Sequence, residues 1–245
     1  MKFKIYCINL YEREDRYNFV KNEFKKYNLD VHFIRNFKHK LGGRYGCFKS
    51  HIQCLKDAKK NNLDTCLIFE DDIKLTSNCN KIIENCLNFI KKQKNVDIIY
   101  AHNVSNLYIE KYYSNNIYYG KSFFTPSIFL TKKSIEKILK KHKKYINKNI
   151  HYDAFLYLIL QNTFISTDSI IKLMPFGSNN DNWSNNYIII IFQKLLSITS
   201  VHLRLSNFIV ITIFKILIKN NNDKLKYLLI NFINNKLIKY LTKNM

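Results

Sequence analysis

Three consecutive carboxylates, Glu70-Asp71-Asp72, follow directly on the apolar run Cys66-Leu67-Ile68-Phe69. A buried strand that ends in mutually repelling charges places them at the carboxyl edge of a sheet, where open α/β sheets bind ligands. Oxygen ligands of this kind suit Mg²⁺ or Mn²⁺, which can also bridge to a diphosphate. If the extended geometry persists, Glu70 and Asp72 point one way and Asp71 the other. The competing interpretation is a solvated acidic turn, since three acidic letters recur by accident.

Two further clusters could do chemistry. Gly46-Cys47-Phe48-Lys49-Ser50-His51 stands where a helix is expected to begin. A glycine there lets backbone approach a ligand, and helix N-terminal N–H groups favour phosphate or carboxylate. Ser50 and His51 would add side-chain donors, although neighbours on a helix do not face each other and form no catalytic dyad. Equally open is a structural role, with Ser50 in an early turn and His51 on the buried stripe. The segment Ile8-Asn9-Leu10-Tyr11-Glu12-Arg13-Glu14-Asp15-Arg16 runs from a strand end into a helix. Asn9, closing a buried strand, is placed to touch a nucleotide. Arg13 and Arg16 are either anion ligands or an exposed helix face paired with Glu12 and Asp15.

The elements that must hold these residues alternate along the chain. Strands are expected at 4–10, 31–34, 65–69, 97–100, 127–131 and 169–173, with helices at 14–27, 47–60, 81–92, 133–143 and 153–161. A Tyr-rich stretch at 107–119 has the pattern of a hairpin. Such alternation predicts an α/β layered domain over residues 1–187. The polar, Asn-rich loop 174–187 is the strongest break. Beyond it, 188–245 is expected to form apolar helices interrupted by Lys194, Arg204 and Lys215, too often for a membrane span. These helices either cap the core or lie at a membrane surface.

Composition narrows the partners. The net charge of +22 comes from 40 basic residues, of which 35 are Lys and 5 are Arg, and Asn reaches 32. Lys, Asn, Ile, Tyr and Phe share A/T-rich codons, so coding bias accounts for the excess. Bidentate phosphate and guanine contacts favour Arg, so nucleic acid is not expected as a partner. The six cysteines form no C-x-x-C pair and sit mostly in apolar segments, as buried free thiols do; a structural zinc site is not expected. With a strand pattern beginning at once and no signal-like segment, a reduced, cytoplasmic protein is expected.

The motifs INLYEREDR, GCFKSH and LIFEDD, in this order and at these separations, resemble glycosyltransferase family 25, which includes lipooligosaccharide and collagen galactosyltransferases. The similarity extends weakly through Asp97-Ile98-Ile99-Tyr100, residues 122–139 and Tyr152-Asp153-Ala154-Phe155-Leu156, covering about residues 3–183. It implies a GT-A-like fold with a mixed central sheet, a UDP-hexose donor (galactose or glucose), Mn²⁺ or Mg²⁺, and inversion at the anomeric carbon. By the same resemblance, Glu70 and Asp72 would anchor the metal and diphosphate, with Asp71 beside them. Asn9, Arg13, Arg16, Ser50 and His51 would lie at the donor. The acceptor would be a hydroxyl of a glycan, glycolipid or hydroxylysine. A base is needed to take its proton. Asp153, at the start of its helix, is the first candidate and Asp181 the second; a simple N-cap is the alternative for Asp153. The chain departs from the family at Arg44, where an acidic residue is usual, and at Pro126-Ser127. A basic nucleic-acid-binding protein and a non-catalytic membrane-associated scaffold are the rival functions.

Overall fold

The structure is a computed structural model that describes residues 1–102, 106–122, 124–146 and 150–174. Its elements in chain order are β1 (Phe3–Leu10), α1 (Glu14–Lys26), β2 (Val31–Asn36), α2 (Gly43–Lys60), β3 (Thr65–Glu70), β4 (Ile73–Leu75) and α3 (Cys79–Lys92). After these come β5 (Ile98–Tyr100), β6 (Asn106–Ser114), β7 (Ile117–Ser122), β8 (Ser127–Thr131), α4 (Lys132–Ile146), α5 (Tyr152–Ile159), β9 (Thr163–Ser166) and β10 (Ile171–Leu173). Asp181 and the extension 188–245 lie outside the described residues.

Eight strands form one mixed sheet in the order β2-β1-β3-β8-β5-β9-β7-β6. β1 pairs in parallel with both β2 and β3, whereas β8 runs antiparallel to β3 and β5. Period-2 alternation splits the apolar side chains into two cores. Tyr6, Cys66, Ile68, Ile128 and Leu130 pack on one face with Phe48, Ile52 and Leu55 of α2, Ile135 and Ile138 of α4, and Phe155 of α5. Ile5, Cys7, Leu67, Phe69 and Phe129 pack on the other with Val20 and Phe24 of α1 and Ile82, Cys86 and Phe89 of α3. The result is the expected mixed α/β architecture, a central sheet with helices on both faces. All six cysteines are free, and Cys47 alone of them is partly exposed.

The Tyr-rich hairpin is β6–β7, turning at Asn115 and Asn116 with φ of 48° and 59°. Two positive φ values suit the two-residue turn that matches strand twist, and Asn tolerates them. The strand expected at 169–173 is the short β10, which pairs with β4 in a separate two-stranded sheet. α5 stops at Ile159, two residues short of the expected end at 161, and β9 follows in a stretch where no strand was expected. Among the described residues, no helix is long and apolar enough to cross a membrane.

α2 begins at Gly43, four residues before the expected start. Gly42 caps it with φ of 93°, a conformation that glycine adopts without strain. The Gly46 N–H already bonds Gly42 O at 3.1 Å. Gly46 to His51 are therefore inside the helix, and their N–H groups are not a free anion-binding end. Gly46 serves packing instead: a Cβ there would stand 3.2 Å from His39 Cβ.

Candidate active site

Chain connectivity sets the place of the site. From β1 the chain crosses to β2 on one side, and then over β1 to β3 on the other. The order thus reverses between β1 and β3, and a crevice opens at the carboxyl ends of such strands. Ile8 is aligned with Glu70 and Asn9 with Arg35, so Asn9 and the acidic triplet share this point. Because β5 runs in the same direction as β3, it delivers His102 to the same edge. The antiparallel β8 begins there, bringing Thr125 and Ser127.

The structure sorts the candidate residues into two groups. Asn9, Arg16 and Asp71 form a closed, buried network. Asn9 Nδ2 donates to Asp71 Oδ2 at 2.8 Å and to Arg13 O at 3.2 Å, while its Oδ1 accepts from Arg35 Nε at 3.0 Å. Arg16 Nη1 donates to Asp71 Oδ1 at 2.7 Å, with both side chains buried. Arg16 is thus not on an exposed helix face: it crosses from α1 to the acidic corner. Arg13 is gripped by Asp15 at 2.8 and 2.6 Å near the surface. Ser50 donates to Gly46 O at 2.9 Å and accepts from Asn36 at 3.0 Å, which ties α2 to the end of β2. These cross-links between elements hold the site in shape, with Arg16 Nε left over as a buried donor.

The second group has capacity left. Asp72 Oδ1 is buried with no hydrogen-bond partner, and Oδ2 stands 3.9 Å from Arg16 Nη1. Burial, reinforced by Glu70 and Asp71, raises the Asp72 carboxyl to about 7 against the pull of Arg16. Extended alternation ends at Glu70, because Asp71 and Asp72 lie in a bend and both approach Arg16. Glu70 instead turns toward α2. Its Oε1 accepts from Thr125 at 2.8 Å and lies 3.5 Å from His51 Nε2. Burial acts to raise Glu70, but His51 and the Thr125 hydroxyl outweigh it and hold this carboxyl below its usual range. His51 is fully buried, stacks on Tyr152 at 4.1 Å, and has neither ring nitrogen in a hydrogen bond.

Asp153 lies in the first turn of α5, one residue inside Tyr152, and His151 is the N-cap. The N-cap alternative for Asp153 therefore fails. Its Oδ1 accepts from the Ala154 N–H at 2.8 Å. Burial pushes the carboxyl up to about 7; Glu70 adds to the rise and Arg44 opposes it. Asp153 and Glu70 both help to raise the Cys47 thiol, after burial itself, so these groups share one electrostatic neighbourhood. Arg44, the departure in the motif, is turned to this corner and also depresses His151, which burial brings down to about 4.

His102 was not among the expected site residues. It is buried beside Glu70 and Tyr100, and burial lowers it to about 4, so it is neutral at ordinary pH. A polar residue two positions after the strand Ile98–Tyr100 carried a signal similar to the one that singled out the acidic triplet. Cys47 and Tyr152 were quoted in motifs without a role. Their place beside His51 arises from helix packing.

Residues 41–167 match glycosyltransferase family 25, described as LPS biosynthesis protein. The chain belongs to glycosyltransferase family 25. The matched span contains α2, the acidic triplet, His102 and Asp153. A stretch of 137 residues, 55% of this chain, is also 30% identical to the pentatricopeptide repeat-containing protein 1, apicoplast, of Plasmodium falciparum; it spans 18% of that protein. Among solved structures, a glycosyltransferase involved in glycosylation of the major capsid of PBCV-1 is 11% identical with a TM-score of 0.47, covering 72% of this chain and 95% of that one. A197 from STIV is 11% identical with a TM-score of 0.49, over 72% and 87% of the two chains. Both are distant.

Proposed function

We propose that the protein transfers a hexose from a UDP-sugar to a hydroxyl of a glycan, glycolipid or hydroxylysine acceptor, with inversion at the anomeric carbon. The observation that supports this reading, beside family membership, is the acidic triplet at the carboxyl edge of β3, where Asp72 Oδ1 is buried without a hydrogen-bond partner and Asp72 and Asp153 both act on the Cys47 thiol. Two carboxyl groups in one neighbourhood can serve different ends, one toward the donor and one toward the acceptor.

The residues fit a divalent cation. Asp72 Oδ1 is a buried oxygen with no hydrogen-bond partner, in a cluster of three carboxylates of which Asp71 takes the closest contact of Arg16. Mn²⁺ or Mg²⁺ held by Asp72, with Glu70 adjacent, would supply the positive charge that stabilises a departing nucleoside diphosphate. Arg16 and Asn9 fix Asp71 and so keep the corner from collapsing onto Asp72. Arg13, on the rim, adds positive charge where the donor's phosphates enter. Thr125 and His51 hold Glu70 toward α2.

Asp153 takes the proton from the acceptor hydroxyl. A base with pKa near the working pH combines an available lone pair with a useful driving force. Its burial also keeps the hydroxyl away from competing water. Asp181 is the second candidate for this step.

A screen of nucleotide sugars for hydrolysis and binding, with Mn²⁺ or Mg²⁺ present, tests the proposal. Turnover or binding of a UDP-hexose is expected. If no nucleotide sugar binds with either cation, the assignment is wrong.

A further inference from the structure

Cys47 and His51 stand one helical turn apart on α2, and β3 presents Glu70 to the same spot. The thiol sulfur, an imidazole nitrogen and a carboxylate oxygen of these residues all lie within 4.8 Å of one another. We propose that Cys47, His51 and Glu70 form a binding site for a borderline-soft divalent cation of the Zn²⁺ class, separate in donor chemistry from the oxygen ligand at Asp72.

Three observations support it. First, the set is thiolate, imidazole and carboxylate, which favours zinc-like ions over Mg²⁺ or Mn²⁺. Second, His51 is 0% exposed and neither ring nitrogen is hydrogen-bonded, so a buried imidazole beside Glu70 and Cys47 keeps its ring lone pair unspent on any hydrogen bond. Third, His51 Nε2 and Glu70 Oε1 are 3.5 Å apart. That is long for a hydrogen bond but close to the roughly 3.4 Å edge that two ligands span on a tetrahedral zinc ion. The Tyr152 ring, stacked 15° from parallel on His51, holds the imidazole plane in place. Partial exposure of Cys47 leaves a path for the ion.

Charge balance is satisfied on binding. The Cys47 thiol releases its proton to solvent, His51 binds as the neutral ring, and thiolate plus carboxylate offset the two positive charges. Glu70, Asp153 and Asp72 disfavour an isolated thiolate at Cys47, and that negative field attracts a dication. Three protein ligands leave a fourth position open, the pattern of reactive zinc sites as opposed to closed structural ones. No C-x-x-C pair is involved: the spacing is one helical turn, and the third ligand comes from another element. Linear motif reading therefore misses it.

Co²⁺ alone, titrated into the metal-free full chain, provides the test, because thiolate ligation gives a near-ultraviolet charge-transfer band. The band is expected in the parent, in Cys86→Ala and in Asp72→Ala. In Cys47→Ser it should be lost, with affinity reduced at least the ~10–100-fold that even loss of an outer-shell partner causes. His51→Gln, which keeps most of the ring's volume, should lose it too, with circular dichroism confirming that each variant is folded. Absence of the band in the parent, its persistence in Cys47→Ser, or its loss in Cys86→Ala or Asp72→Ala overturns the site. None of these outcomes bears on nucleotide-sugar binding, so failure here is distinguishable from failure of the proposed function.

Discussion

Replacing Asp153 by Asn should make the protein more stable and less active at once. The buried carboxyl stands near 7 in the folded chain against about 3.9 when unfolded. Between those values the native state holds the proton more tightly. Stability is therefore fully present at pH below about 4 and falls as pH rises through this window, levelling off above 7. At about 1.4 kcal/mol per pKa unit, the ionised group costs on the order of 4 kcal/mol at pH 8. Glu70, Arg44, Cys47 and Tyr100 are the ionisable groups that face it, and an amide keeps the bond from the Ala154 N–H. Urea unfolding at pH 5 and pH 8 should show the advantage of Asp153→Asn growing by about 3 kcal/mol between them. Transfer should fall by about 10²–10⁴-fold, with donor affinity nearly unchanged. An advantage that does not grow with pH would refute the buried-charge account. Near-normal transfer would remove Asp153 as the base and shift the role to Asp181.

Asp72→Ala should abolish the dependence of UDP affinity on Mn²⁺ while leaving the melting temperature close to the parent's; calorimetry with and without Mn²⁺ checks it, and an unchanged dependence refutes the ligand. Arg16→Ala leaves the buried Asp71 charge without its guanidinium, with the Asn9 amide still donating to it, so it should lower stability by up to about 3–5 kcal/mol in urea, whereas an exposed pair would cost under about 1. His102 is neutral well above pH 4, so His102→Gln should leave the inflection of the rate near pH 7 where it is; a displaced inflection would assign that titration to the histidine.

What the residues alone determined is the class of the fold and the position of the acidic triplet at the sheet's edge. Apolar runs with period 2 and amphipathic runs with period 3.6 report burial locally, so the strands, the helices and the carboxyl-edge position of Glu70-Asp71-Asp72 were legible. Coding bias could be separated from a nucleic-acid signature because Arg, unlike Lys, stayed rare. The start of α2 was misplaced because Gly42-Gly43-Arg44 carries no side-chain cap. Nor could β4 be seen, since its three residues follow directly on the acidic triplet and make too short a run to register.

Only the tertiary structure decided which candidates are scaffold and which are free to act. Asn9, Arg16 and Asp71 are separated in sequence by up to 62 positions, yet satisfy one another within hydrogen-bond distance. Hydrogen-bond capacity spent across that gap cannot be read from any one segment. The same holds for Asp153, whose raised carboxyl depends on burial by packing partners far along the chain, and for His51, placed against Glu70 and Tyr152 by three different elements. Local sequence encodes periodicity and charge. Desolvation and partner choice are properties of the assembled core, and they set the chemistry at this edge.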